Sequence, residues 1–118
     1  MRIGADYYPE HWEKERWKTD AEMMVKANIK VIRIGEFAWS LYEPEEGKYE
    51  FDWMDEALDF FGKYGIKVVM CTPSATPPKW MIDKYPDILQ NDIHGNPKLF
   101  GTRKHYCFNS QTYREKTK

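Results

Sequence analysis

Three apolar runs in this chain each end in a segment dense with carboxylates, aromatic rings or prolines. Ile3-Gly4-Ala5 runs into Asp6-Tyr7-Tyr8-Pro9-Glu10-His11-Trp12, and Val31-Ile32-Arg33-Ile34-Gly35 into Glu36-Phe37-Ala38-Trp39-Ser40. Val68-Val69-Met70-Cys71 runs into Thr72-Pro73-Ser74-Ala75-Thr76-Pro77-Pro78-Lys79-Trp80. Asp6, Glu10 and Glu36 are the groups in these segments best suited to give or take a proton. A carboxyl buried alone at Glu36 would have its pKa raised and would look catalytic. The competing reading, adopted for Glu36, is an anchor paired with Arg33, Arg103 or a loop amide, and the same reading covers Asp6 and Glu10. His11 and His105 could hydrogen-bond ligand hydroxyls, with His11 equally suited to bracing its loop. The three histidines show no H-x-x-x-H or H-E-x-x-H spacing, and no G-x-x-x-x-G-K appears, so neither a metal site nor a phosphate loop is indicated.

The aromatic content is high, at 16%, with five Trp, eight Tyr and six Phe, and many of these residues lie in the loops rather than at periodic helix positions. Aromatic faces in a polar cleft suit ligands with flat apolar patches, such as sugar rings. An aromatic-rich core accounts for about half of them. Trp12, Trp39 and Trp80 could wall a cleft, although a single Trp after a strand more often packs under a loop. Cys71, inside an apolar strand, reads as a small core residue.

Positioning these segments requires strands that end where they begin. A first helix is expected from about Trp12 to Ala27, with Trp17, Ala21, Met24 and Val25 on one face and Asn28 as its stop. Ile29–Ile34 reads as a short β-branched strand with Arg33 as an inward or strand-end charge. A second helix starts at Asp52 as N-cap, with Asp55 and Glu56 favouring its dipole. Trp53, Ala57, Phe60, Phe61 and Tyr64 form its stripe, and Gly65 ends it. Ile66–Cys71 is the third strand. Pro78 opens a short helix through Ile82, and Ser110 caps a last one. Alternating strands and helices imply a parallel sheet with right-handed crossovers. The long connection over residues 36–51 and the longer one after the third strand suggest functional loops.

Composition narrows the field. At 118 residues the chain holds one modest core. Eighteen basic and nineteen acidic residues leave a net charge of −1, without the basic face that nucleic-acid binding usually needs. No apolar run approaches the roughly 20 residues of a membrane helix, and the N-terminus lacks a signal peptide's apolar region. Two cysteines do not make a disulfide framework. A cytoplasmic protein is expected, with no nucleic-acid or membrane partner.

The block Trp39-Ser40-Leu41-Tyr42-Glu43-Pro44-Glu45-Glu46-Gly47-Lys48-Tyr49-Glu50-Phe51 resembles (β/α)8 glycoside hydrolases of the retaining clan. With Asp6–Trp12 before it and Phe100-Gly101-Thr102-Arg103-Lys104-His105-Tyr106-Cys107-Phe108-Asn109-Ser110 after it, the whole chain resembles the N-terminus of a glycoside hydrolase family 42 β-galactosidase. The expected fold is α/β: about three β/α units from the N-terminal portion of a TIM (β/α)8 barrel with parallel strands. Such a barrel needs about 250 residues, so residues 1–118 are expected to be an N-terminal fragment of the catalytic barrel with no internal boundary.

The resemblance implies hydrolysis of terminal non-reducing β-D-galactosides with retention, by a parent enzyme expected to be a homo-oligomer. Arg103 matches the family's substrate-binding arginine; its planar fork of five donors suits sugar hydroxyls. Without the family, a surface ion pair would be the better reading of Arg103. Cys107 matches the first cysteine of a zinc cluster found in some members. The remaining ligands would lie beyond Lys118, so structural zinc is expected of the parent and not of this chain alone. No cofactor is required for the chemistry. Retaining glycosidases use two carboxyl groups about 5–5.5 Å apart. The resemblance puts the acid/base in an Asn-Glu pair after a fourth strand and the nucleophile after a seventh. No Asn-Glu dipeptide occurs here, so no catalytic residue is expected in this chain. The alternative is a non-catalytic carbohydrate-binding or assembly module from a partial barrel, its open edges covered by oligomerisation.

Overall fold

The computed structural model describes residues 3–118. The chain forms two compact units, each built from two stretches of sequence: residues 1–36 with 51–71, and residues 37–50 with 72–118.

The first unit carries the sheet. Strands β1 (Ile3–Asp6), β2 (Ile29–Ile34) and β3 (Lys67–Met70) lie in that order. Both pairings are parallel, with Ala5 opposite Ile32, Asp6 opposite Arg33, and Arg33 opposite Val69. Parallel neighbours cannot be joined by a tight turn, so the chain returns through a helix each time. Helix α1 (Lys14–Lys26) connects β1 to β2, and a helix at Asp52–Lys63 precedes β3. A Cβ at Gly4 would stand 3.0 Å from the Val31 carbonyl oxygen, a tight contact, so the close approach of β1 to β2 favours a glycine there.

Ile32 and Ile34 point their side chains into the core together with Trp17, Ala21, Met54, Ala57 and Phe61. Trp17, Phe60, Phe61 and Tyr7 form a run of tilted and edge-to-face rings with centroids 5.3 to 6.1 Å apart, the geometry that ring quadrupoles favour. The Trp17 indole donates to the Pro9 carbonyl at 3.1 Å, and the Tyr7 hydroxyl donates to Asp20 at 2.8 Å. Burial, with the Asp20 contact second, pushes the Tyr7 phenol well above its ordinary pKa.

Several local expectations need correcting. Helix α1 begins at Lys14 because Pro9–His11 makes a separate 3-10 turn and Trp12 is extended. Its buried face is Trp17, Asp20 and Ala21, while Val25 is exposed. At Asp52–Lys63 the N-cap is Phe51, whose carbonyl accepts from the Met54 and Asp55 amides; Asp52 is the first helical residue and favours the dipole by charge alone. Met54 joins that helix's buried stripe, and Trp53 and Phe60 are half-buried. The expected stops hold. Asn28 takes φ 58° just past α1 and Gly65 takes φ 70° just past the second long helix, left-handed positions that Asn tolerates and glycine favours. The β2 bounds match the sequence reading, and β3 is shorter than expected by one residue at each end.

In the second unit the connection after β2 contains a short helix α2 (Trp39–Tyr42), so the Asp52–Lys63 helix is α3. Helices α4 (Lys79–Lys84) and α5 (Gln111–Lys116), with a 3-10 turn at Pro86–Ile88, complete the helical elements. Pro78 is the N-cap of α4, and Ser110 caps α5 through its hydroxyl, which accepts from the Tyr113 amide at 3.2 Å. Trp39, Met81, Ile82, Ile88, Tyr106 and Tyr113 make this unit's core, with Tyr106 and Tyr113 stacked at 4.1 Å.

Phe61 is fully buried whereas Val69 is 51% exposed. Phe61→Ala is therefore expected to cost about 3–5 kcal/mol and Val69→Ala under about 1 kcal/mol. Urea denaturation of the two variants checks this, and equal losses would contradict the assigned core.

Candidate functional site

At the carboxyl ends of β1 and β2, register places Asp6 beside Arg33. The Arg33 guanidinium donates through Nε and Nη2 to the two Asp6 carboxylate oxygens at 2.7 and 3.2 Å, and through Nη2 to Glu36 at 2.8 Å. The Tyr8 hydroxyl donates to the same Glu36 oxygen at 3.4 Å. Arg33 holds the Asp6 carboxyl below its usual range, and Asp6 in turn raises the pKa of Arg33. Burial, with the Glu36 charge second, raises the Tyr8 phenol. A carboxyl held below its usual range stays ionised at neutral pH and cannot serve as a general acid. The arrangement is a fixed patch of charge and ring edges. It bears out the anchor reading of Asp6 and Glu36 and makes Arg33, read before only as a strand-end charge, its centre.

Glu10 differs. Both its carboxylate oxygens are buried and have no hydrogen-bond partner among the described residues. His11 stacks on the Tyr8 ring at 5.2 Å, the loop brace. Trp12 is exposed, with the Arg16 guanidinium 4.2 Å over its ring. Cys71 is only half-buried, a correction to the core reading: it lies one residue past β3, where its amide donates to the Ile34 carbonyl at 2.9 Å.

The second unit explains the W-S-x-x-E-P-x-x-G block. Glu43 is buried and accepts from the Trp39 indole at 2.9 Å and from the Gly47 amide at 2.8 Å, while its own carbonyl accepts from the Trp80 indole at 2.8 Å. One helical turn separates Trp39 from Glu43, which brings them together. Trp39 is buried beneath this loop and also lines a pocket with Glu43, Tyr49 and Pro73, while Trp80 is half-buried. Glu46 accepts from Lys84, Lys116 and the Tyr85 hydroxyl. Hydrogen bonds from Lys116, then Lys84, then Tyr85 lower the Glu46 carboxyl to about 2.

Arg103 stands exposed on a tight loop. Gly101 and Lys104 take φ 93° and 56°, and the Lys104 amide donates to the Ala75 carbonyl at 3.3 Å. The Arg103 guanidinium lies over the Phe37 ring at 5.4 Å. His105 is fully buried, against its reading as a group facing hydroxyls. Its Nδ1 donates to the Thr102 carbonyl, so it braces the loop from beneath. Phe37 was not singled out in the sequence; its only signal was its place beside Glu36 after an apolar strand. Cys107 is half-buried, and no three His, Cys, Asp or Glu residues cluster around a metal position among the described residues. One thiol does not fit a four-ligand zinc site.

The fold and the strand-end charges define a parallel α/β protein that gathers its polar groups at strand carboxyl ends. The sequence profile of glycoside hydrolase family 42, described as β-galactosidase, matches residues 6–118, and the chain belongs to that family. It is 51% identical over 117 residues to the β-galactosidase BgaH of Haloferax lucentense and 54% identical over 116 residues to a β-galactosidase of Thermus thermophilus. It covers 99% and 98% of itself in those two matches and 18% of each relative. Among solved structures, the β-galactosidase of the haloarchaeon Halorubrum lacusprofundi superposes with a TM-score of 0.92 at 48% identity, over 99% of this chain and 18% of that one. The β-galactosidase of Marinomonas ef1 superposes with a TM-score of 0.93 at 47% identity, over the same shares. The chain thus spans about 18% of the length of these relatives, and its three parallel strands correspond to the N-terminal portion of their TIM barrels.

Two predictions follow from the second unit. Glu43→Ala leaves the buried Trp39 indole donor and the Gly47 amide without their acceptor and is expected to cost about 1–3 kcal/mol, while Glu45→Ala, an exposed neighbour, changes little; chemical denaturation distinguishes them. Glu46 has a depressed pKa, so its stabilisation is complete above its ordinary 4.5 and is lost as pH falls toward about 2. The melting-temperature difference between wild type and Glu46→Gln should therefore shrink over that window and in high salt. A difference unchanged at pH 2 excludes the ion cluster as its source.

Proposed function

We propose that this chain is the N-terminal part of the catalytic barrel of a retaining β-galactosidase. The whole enzyme hydrolyses terminal non-reducing β-D-galactosides through a covalent glycosyl-enzyme intermediate. The observation that carries the reading is the family match over residues 6–118 together with 51–54% identity to curated β-galactosidases. Arg103 grips the sugar's hydroxyls; its exposure on a braced loop supports that role. Neither catalytic carboxylate belongs to these 118 residues: the carboxylates Asp6 and Glu36 are engaged by Arg33. Residues 1–118 act as one stretch of barrel with no internal boundary, since each compact unit draws on two separated stretches of chain.

The enzyme works in the cytoplasm, as a homo-oligomer, on a β-galactoside, with no nucleic-acid or membrane partner. No helix among the described residues is long and apolar enough to cross a membrane. The chemistry needs no cofactor. Cys107 supplies one thiolate to a structural zinc cluster whose other ligands lie outside this chain. The exposed strand residues Ile3, Val69 and Met70 are each about half accessible. They favour a second reading in which a partial barrel covers its edges by self-association.

The test is an assay of the 118-residue chain and of the full-length polypeptide on an aryl β-galactoside. The full-length protein turns over, and the isolated chain does not. Arg103→Ala in the full-length protein lowers kcat/KM roughly 10- to 100-fold, the loss of charge-assisted hydrogen bonds. Turnover by the pure chain would overturn the assignment of both catalytic acids to other residues.

A further inference from the structure

We propose that His105 is a positioning residue for Arg103, fixing through one ring N–H the peptide plane from which the arginine departs; the proposal rests on the reading of Arg103 as the substrate-gripping arginine. His105 is wholly enclosed, and its ring makes edge-to-face contacts with Phe100 and Tyr106, at 5.7 and 6.4 Å between centroids. Tyr106 belongs to the core of the second unit, where it stacks on Tyr113. The imidazole therefore rests on a packed support. A carbonyl oxygen only accepts, so the contact between Nδ1 and the Thr102 carbonyl places the ring proton on Nδ1. Nε2 is buried without a hydrogen-bond partner among the described residues, so the Thr102 carbonyl is the ring's one polar link there.

What that link holds is specific. The Thr102 carbonyl and the Arg103 amide share one planar peptide unit. The Arg103 carbonyl and the Lys104 amide share the next, and the Lys104 amide donates to the Ala75 carbonyl at 3.3 Å. Both planes flanking the Arg103 Cα are thus tied, one by the His105 ring and the other by backbone. Together they set the direction in which the side chain leaves. Thr102 Oγ1 closes the turn in front by donating to the Leu99 carbonyl at 3.1 Å. The loop needs such ties, because Lys104 takes φ 56°, a left-handed conformation that is costly for a residue with a side chain. Thr102 itself is exposed. Without the imidazole its carbonyl turns to water, and the peptide plane before Arg103 turns with it.

The experiment is a double-mutant cycle in the full-length enzyme, with kcat and KM measured on an aryl β-galactoside below every variant's melting transition. His105→Phe keeps a buried ring and loses the donor. It is expected to melt close to wild type and to lower kcat/KM about 10-fold, mainly through KM. His105→Asn carries an amide N–H one bond beyond Cγ, where Nδ1 stands, but leaves a cavity. It is expected to melt lower and to keep most of the activity. In an Arg103→Ala background, His105→Phe has no further effect on kcat/KM, because its role passes through the arginine. A merely structural histidine predicts the opposite order, with activity following melting temperature and the Asn variant the more impaired. That order, or losses that multiply in the double variant, overturns the positioning role. A full-activity Arg103→Ala variant overturns the reading of Arg103, and the positioning role falls with it.

Discussion

Parallel pairing is the constraint on which the first unit depends. Two parallel strands cannot be joined by a tight turn, so α1 and α3 must carry the chain back before β2 and β3 begin. All three strands then point the same way, and their carboxyl ends share one edge of the sheet. That edge is where Asp6 and Arg33 fall in register and where Glu36 follows one short step later. The close β1–β2 approach allowed by Gly4 supports the same register. A one-residue slip would turn Arg33 toward the face that buries Ile32 and Ile34, where an uncompensated guanidinium is prohibitive. Register, ion pairing and core composition therefore select one another.

Polar groups in the second unit serve the loops more than the helices. Glu43 ties two tryptophans and a glycine amide into one turn, and Glu46 gathers two lysines and a tyrosine. His105 uses its buried ring to hold the Thr102 carbonyl of its loop. Loops held this firmly can present a side chain at a defined place while the side chain itself stays in solvent. Arg103 is presented in this way.

Much of the fold was legible in the residues. The β2 bounds, the Asn28 and Gly65 stops and the Ser110 cap follow from β-branching, left-handed tolerance and hydroxyl capping, all properties of a few adjacent residues. Errors arose at a helix start and on two helix faces. Asp52 looked like a cap, yet the Phe51 carbonyl already received the first helical amides. Met54 was overlooked and is buried, while Val25 shared α1's apolar face on paper and is exposed. Periodicity identifies a face but not how far the opposing element reaches across it.

The sequence by itself determined the class of fold, the family and the positions where charge collects, because these rest on local pattern and on motifs read in order. Only the tertiary structure decided what each charged or aromatic group does. The anchor role of Glu36 became definite once Arg33 and Tyr8 stood beside it, and His105 became a brace once it proved to be wholly enclosed. Arg103 gained a ring partner 66 residues earlier in the chain. A side chain's type sets what bonds it can make; which bonds it makes depends on burial and distance, and those exist only after the chain has folded.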